Sequence, residues 1–94
     1  MKLRYTRTAL REIDKALSYT SERSPQGAAA LRQRILTAVD LIRDHAQAGQ
    51  MTSRRDFRRV VLSPYPYVLF YRVAADEIVV ARFRHAARKP LSES

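Results

Sequence analysis

The stretch Tyr67–Val73 constrains the fold more than any other part of the chain, because apolar residues occupy both of its alternating side-chain sets. Successive residues of a β-strand point to opposite faces of a sheet, so a strand that is apolar on both sides needs cover on both. This pattern predicts that Tyr67–Val73 lies at the centre of a sheet. Shorter β-forming stretches at Val60–Leu62 and Ile78–Phe83 supply its neighbours.

The last of these stretches predicts a strand that is apolar at one end and basic at the other. Strict alternation puts Val79, Ala81 and Phe83 on one face, and the opposite face then carries four residues, Ile78, Val80, Arg82 and Arg84. The turn before it, Ala74–Glu77, contains no glycine. A four-residue loop built on a type I turn is therefore expected there, rather than a two-residue primed turn.

The N-terminal half of the chain predicts a short strand, Leu3–Thr6, followed by two helices. Thr6 or Thr8 is placed to cap a first helix whose apolar residues recur at helical spacing. Ser24 before Pro25 marks a second start, because a capping hydroxyl followed by proline suits the first turn of a helix. Two helices with one apolar face each must pack on a sheet. The sequence therefore predicts an α+β fold in which an N-terminal strand, a two-helix hairpin and a three-stranded antiparallel C-terminal sheet follow one another.

Composition restricts the classes of protein and of partner. A chain of 94 residues is expected to form a single domain over residues 1–94, with the tail 89–94 loosely ordered. Lys and Arg number 18 against 9 Asp and Glu, and the resulting charge of +9 indicates an acidic partner, either nucleic acid or an acidic protein segment. Without cysteine, a signal peptide or a membrane-length apolar stretch, the chain is expected to be cytoplasmic. Two separated histidines and no cysteine predict no metal site, and no cofactor is expected.

Three segments together carry a resemblance to a known family, namely Pro66–Val73, Asp76–Val80 and His85–Arg88. Their order and spacing resemble the RelE/ParE superfamily of type II toxin–antitoxin toxins, and the His-x-x-Arg ending is most similar to the ParE and plasmid-stabilisation branch. The resemblance implies a small growth-inhibiting toxin that a cognate antitoxin neutralises in a hetero-oligomer. It implies DNA gyrase as the target in the ParE branch and ribosome-dependent mRNA cleavage in the RelE branch.

Two departures from the ribonucleolytic pattern favour the ParE branch and a non-enzymatic toxin. Val68 stands where those relatives carry a central-strand arginine, and no tyrosine follows Tyr71. A RelE-like mRNA interferase is the alternative, and an inactive toxin-derived binding module is a further one. As a ribonuclease, the chain would use Arg59, Arg82 and His85, because arginines stabilise a charged phosphorane and histidine exchanges a proton near neutrality.

Two basic segments are the candidate binding surfaces. The target-binding candidates cluster at the basic end of the last predicted strand and just beyond it, and are Arg82, Arg84, His85 and Arg88. The first two arginines are two residue rises apart, roughly 7 Å, so both can reach one acidic or phosphate-bearing patch. The antitoxin-binding candidates precede the central strand and are Arg54, Arg55, Arg58 and Arg59. This second run could equally be a charged edge that resists aggregation.

Overall fold

The computed structural model describes residues 2–86, and within that range the chain forms two helices and one five-stranded sheet. Arg88 and the tail 89–94, which was predicted to be loose, lie outside the described residues. Across the sheet the strand order is β1-β5-β4-β3-β2, with β1 parallel to β5 and the other neighbours antiparallel. In chain order the elements are β1 (Lys2–Tyr5), α1 (Arg7–Arg23), α2 (Pro25–Asp44), β2 (Gln50–Met51), β3 (Arg58–Val61), β4 (Tyr67–Ala74) and β5 (Glu77–His85). The predicted α+β class, N-terminal strand and helical hairpin are confirmed.

The prediction of a three-stranded C-terminal sheet is wrong by one strand. The additional strand, β2, has two residues, and Gln50 and Met51 pair with Arg59 and Arg58 of β3. A two-residue strand has no alternating pattern of its own, and it forms because β3 offers an edge with free backbone groups. For this reason the sequence around Gly49 predicts an irregular connection and gives no sign of the strand.

Local capping signals set both helices. The Thr6 hydroxyl accepts a hydrogen bond from the backbone N–H of Ala9 at 3.0 Å, so Thr6 is the cap of α1. Ser24 ends α1 and starts α2, because its N–H donates to the Thr20 carbonyl at 2.8 Å and its hydroxyl accepts from Gly27 N–H at 2.9 Å. A connection of one residue forces the two helices into the predicted hairpin. No helix in the described range is long and apolar enough to cross a membrane.

The central strand β4 lies in the middle of the sheet, as predicted, and its residues Val68–Tyr71 are all buried. Leu69 and Tyr71 point towards the helices and join the main core. Val68 and Phe70 point the other way and form a smaller cluster with Phe57. The helix-free face of the sheet is thus apolar at its centre.

A β-bulge changes the predicted alternation of β5. Phe70 of β4 pairs with Arg82, whereas the next residue, Tyr71, pairs with Val80, so Ala81 is an extra residue in β5. Val80 and Phe83 consequently both join the core on the helix side. The prediction that Phe83 shares a face with Val79 is wrong, because the bulge reverses the alternation between them.

The hairpin between β4 and β5 is tighter than predicted. Ala74 pairs directly with Glu77, which leaves a two-residue turn, Ala75-Asp76, rather than a four-residue loop. Ala75 has a φ of 52°. Two-residue hairpin turns require positive φ, and in this turn alanine adopts it in place of the glycine or asparagine that usually does.

A buried tyrosine fixes the connection between α2 and β2. The Tyr71 hydroxyl donates to the Ala46 carbonyl at 2.7 Å and accepts from Gly49 N–H at 2.9 Å. A Cβ on Gly49 would lie 2.7 Å from the Tyr71 ring, so only glycine fits against it. This contact holds β2 beside β3.

Candidate functional site

The strand β5 continues past the end of its neighbour β1, and α1 covers the exposed part of its edge. β1 pairs with β5 as far as Val80. Beyond that point, the Thr6 hydroxyl donates to the Ala81 carbonyl at 2.9 Å, and a Glu12 carboxylate oxygen accepts from Phe83 N–H at 2.8 Å. Side chains of the first helix and its cap thus take over hydrogen bonds that a neighbouring strand would make.

The same carboxylate orients Arg82. The Glu12 oxygens accept from Arg82 Nη2 at 2.9 Å and from Nε at 3.1 Å, a two-point ion pair. Burial, the largest single influence, raises the pKa of Glu12, but the hydrogen bonds from Arg82 and Phe83 and the charges of Arg82 and Arg84 outweigh it and leave the pKa below its ordinary value of 4.5. The hydrogen bond to Glu12 in turn raises the pKa of Arg82.

Three of the predicted arginines belong to the rows of paired residues that carry the apolar cluster of the helix-free face. Arg59 of β3 pairs with Phe70, which pairs with Arg82 on its other side. In the next row, Val68 lies between Val61 and Arg84. Cationic residues therefore flank the small apolar cluster in the sheet, although the guanidinium of Arg82 itself binds Glu12 of α1. Arginines beside apolar side chains suit an acidic surface with some apolar content.

His85 lies on the other face, away from Arg59. It pairs with Tyr67, and the two rings meet edge to face with centroids 5.4 Å apart. Tyr67 also stacks on Phe83 at 5.0 Å. The candidate ribonuclease residues are therefore split, since Arg59 and Arg82 flank Phe70 and His85 belongs to the helix-facing side.

An open groove of about 550 Å³ lies beside His85, between α1 and the end of β5. Its lining combines aromatic rings with charged side chains: Glu12, Lys15, Ala16, Tyr19, Tyr67, Arg82, Phe83, Arg84 and His85. In the described part of the chain, no group of three or more His, Asp or Glu side chains is placed to hold a metal ion.

The antitoxin-binding candidates occupy the turn before β3 and β3 itself. Arg54 and Arg55 are exposed, and the Arg54 guanidinium lies 5.1 Å from the centroid of the Phe57 ring. Arg58 donates to the backbone carbonyl of Gly49 at 2.8 Å and to the side chain of Gln47. Arg58 therefore also fastens the connection that leads into β2.

Arg59 is tied less strongly to its surroundings than Arg58. Its Nε donates to the side chain of Gln50 at 3.2 Å, and the residue is exposed. A hydrogen bond between two exposed side chains is easily exchanged for one to a partner. Arg59 is therefore open to both assignments that the sequence suggested for it.

Sequence reasoning missed Glu12, the residue that organises this end of the sheet. A usable signal was present, because Glu12 follows Ala9 by three residues and precedes Ala16 by four, and both alanines are buried. Residues at these spacings share one face of a helix. A carboxylate beside an apolar stripe is expected to find a cation or backbone N–H, and here it finds both.

The comparisons with known proteins agree with this architecture. A family described as the ParE toxin of the type II toxin–antitoxin system, parDE, matches residues 3–90. The chain belongs to the ParE toxin family. The match includes both helices, strands β2 to β5 and all of β1 except Lys2.

Individual relatives of this ParE-family toxin point the same way. The chain is 33% identical to the Sinorhizobium fredii protein Y4kP over 89% of its own length and 88% of the relative. It is 32% identical to Toxin RelE2 of Caulobacter vibrioides over 89% of its length and 93% of that protein. A solved structure titled "Chromosomal ParDE TA system from P. aeruginosa" matches with a TM-score of 0.81 and 25% identity, covering 90% of this chain and 95% of the other.

Membership of the ParE family makes the chain the toxin of a type II toxin–antitoxin system, with an antitoxin as its partner. The predicted RelE/ParE likeness is thereby confirmed. The roles assigned to Arg82, Arg84 and the other site residues stay predictions.

Proposed function

We propose that this ParE-family toxin arrests growth without acting as an enzyme, by binding DNA gyrase in the cytoplasm through the basic end of its sheet. The observation that carries the proposal is the environment of Val68. It is 7% exposed and packs with Phe70, at the position where ribonucleolytic relatives carry a phosphate-binding arginine. An apolar side chain there cannot stabilise the charge that develops on a phosphate during RNA cleavage.

The proposed target surface consists of Arg82, Arg84, His85 and Arg88. Arg82 is held in one orientation by Glu12, so little side-chain entropy is lost when a partner binds beside it. Arg84 lies two residues further along β5 on the same face of the sheet as Arg82. A fixed guanidinium next to a second arginine suits recognition of carboxylates on a protein target.

We also propose that the antitoxin covers the edge of the sheet formed by β3 and β2, around Arg54, Arg55, Arg58 and Arg59. Exposed apolar side chains accompany these cations, with Met51 at 60% exposure and Val61 at 44%. An acidic amphipathic helix would neutralise the arginines and cover the apolar atoms, and the edge strand β2 could accept an added strand. The toxin's charge of +9 supports an acidic partner.

A RelE-like mRNA interferase is the second candidate, and two observations favour it. One relative carries the name Toxin RelE2. In addition, Arg59 and Arg82 are the cross-strand partners of Phe70 on its two sides, so two of the three candidate ribonuclease residues belong to one row of the sheet. Catalysis would then need His85 to exchange a proton from the other face of the sheet.

Growth assays of single variants test the proposed target surface. Arg84→Ala and His85→Ala, induced without antitoxin, should restore colony formation and gyrase supercoiling, because loss of a desolvated charge contact typically costs about 2–5 kcal/mol. Arg72→Ala is the matched control. Arg72 is an arginine of β4 that pairs with Val79, at the far end of the sheet from Arg84, and this variant should stay toxic.

All variants must first be shown to fold and to bind the antitoxin. If both folded variants of the basic end were as toxic as wild type, the target surface would have to lie elsewhere. An inactive toxin-derived module would be indicated if the wild-type protein itself did not slow growth.

A further inference from the structure

The groove between α1 and the end of β5 has aromatic rings on both of its sides. Tyr67 and Phe83 are stacked on the strand side, with ring planes 15° apart. Tyr19 lies on the helix side and is 54% exposed, with the Arg23 guanidinium 3.7 Å from its ring centroid. Phe83 is 2% exposed, so Tyr19 and the half-buried Tyr67 are the rings that a ligand can reach. Accessible rings are the side chains on which nucleobases stack, regardless of base identity.

The lining of the groove carries more positive than negative side chains. Glu12 and Arg82 neutralise each other in their ion pair. Lys15 and Arg84 remain as two further cations of the lining. Two cations in the lining of one groove match the charge of a phosphate monoester, which carries close to two negative charges near neutral pH.

The size of the groove also fits a small ligand. Its volume of about 550 Å³ lies in the range of small-molecule sites, roughly 300–1,000 Å³. We propose that this groove binds a nucleoside 5′-phosphate, with the base against the aromatic side chains and the phosphate on Lys15 and Arg84. An acidic peptide could pair with the same cations, but it would leave the rings without a planar partner.

The groove lining does not include Arg59 or Phe70, and its existence does not depend on gyrase as the target. It shares Arg82, Arg84 and His85 with the proposed target surface. A bound nucleotide would therefore compete with a macromolecular target for these three side chains. The groove would give the toxin a way to respond to nucleotide concentration.

Calorimetric titration of the purified full-length toxin tests the proposal. The probes are adenosine 5′-monophosphate, adenosine, pyrophosphate, a four-residue oligoadenylate and tetraglutamate. The monophosphate should bind at least about tenfold more tightly than adenosine, pyrophosphate or tetraglutamate, because only it uses both the rings and the cations. The oligoadenylate arm identifies the source of the nucleotide: tighter binding than the monophosphate indicates a strand, and equal binding indicates the free nucleotide.

Three exposed or half-exposed positions provide the variants. Lys15→Ala and Arg84→Ala should each raise the Kd for the monophosphate about tenfold, the effect of removing one charge-assisted hydrogen bond. Tyr19→Ala should also weaken binding. Arg32→Ala, an exposed arginine of α2 outside the groove lining, removes the same charge and should leave the Kd within about twofold.

Backbone amide NMR gives a readout that does not depend on any variant. Added monophosphate should shift the resonances of Ala16, Tyr19 and Phe83–His85 and leave those of β2 in place. Equal affinity for pyrophosphate and the monophosphate would overturn the proposal, and so would an equal response of Arg32→Ala and Arg84→Ala. Either result would mean that anions bind to the positive surface as a whole.

Discussion

Glu12 and Arg82 are 70 residues apart in the chain and form a two-point ion pair that joins the first helix to the last strand. The same carboxylate accepts the backbone N–H of Phe83. One acidic side chain therefore closes the open edge of β5 and orients an arginine of the proposed target surface. Glu12 therefore links the stability of this end of the molecule to the orientation of Arg82.

Removal of the Glu12 carboxylate should destabilise the fold. Glu12→Ala leaves the Arg82 guanidinium and the Phe83 N–H without their acceptor, which is expected to lower the free energy of unfolding by about 1–3 kcal/mol. Asp40→Ala is the control, because Asp40 forms an exposed ion pair with Arg43 within α2, and its loss should change stability by less than about 0.5 kcal/mol. Urea denaturation of both variants measures the difference. Equal effects of the two substitutions would refute a special role for Glu12.

The Glu12 contacts should also make stability depend on pH. The pKa of Glu12 in the folded protein lies below its ordinary value of 4.5, so the carboxylate contributes stability above that value and loses it as pH falls through the folded pKa. The difference in unfolding free energy between wild type and Glu12→Gln should therefore be largest at about pH 6 and shrink towards about pH 3. A difference that stayed constant over this range would contradict the assignment.

The turn residue Ala75 offers a test in which one substitution has opposite signs at two sites. Ala75→Gly should stabilise the protein by about 0.5–1 kcal/mol, because glycine adopts the φ of 52° without the strain of a side chain. Ala30→Gly, at an exposed position inside α2, should destabilise it by about 1 kcal/mol. Thermal melts of the two variants measure both changes in stability. A lower melting temperature for Ala75→Gly would show that the turn has another geometry.

Removal of the buried Tyr71 hydroxyl should lower the free energy of unfolding. Tyr71→Phe keeps the ring but leaves the Ala46 carbonyl and the Gly49 N–H without their partner, a loss of about 1–3 kcal/mol. Tyr19→Phe, at a side chain that is 54% exposed, should change stability by less than about 0.5 kcal/mol. Chemical denaturation compares them. If Tyr71→Phe proved as harmless as Tyr19→Phe, water would have to replace the hydroxyl.

Sequence reasoning succeeded where the signal was local. The caps at Thr6 and Ser24 are set by a hydroxyl and the N–H groups three residues later, and the buried pattern of Val68–Tyr71 is set by consecutive residues. These features place the helical hairpin and the central strand without knowledge of their partners.

The features that the sequence did not predict depend on contacts between distant parts of the chain. The strand Gln50–Met51 exists because β3 pairs with it, and the extra residue Ala81 is defined only by the register with β4. The bulge at Ala81 then decides which face carries Phe83. The pairing of Arg82 with Glu12 likewise requires α1 to lie beside the end of β5, which no local pattern encodes.

We propose that this ParE-family toxin acts on gyrase and not on ribosome-bound mRNA. The most direct measurement is parallel sampling of cells after induction of the wild-type toxin without antitoxin, with plasmid supercoiling analysed on gels and RNA ends mapped across the transcriptome. We expect loss of negative supercoiling as growth stops, with RNA ends unchanged from uninduced cells. Discrete cuts in translated messages with supercoiling intact, abolished by Arg82→Ala or His85→Ala, would contradict it and establish the mRNA interferase instead.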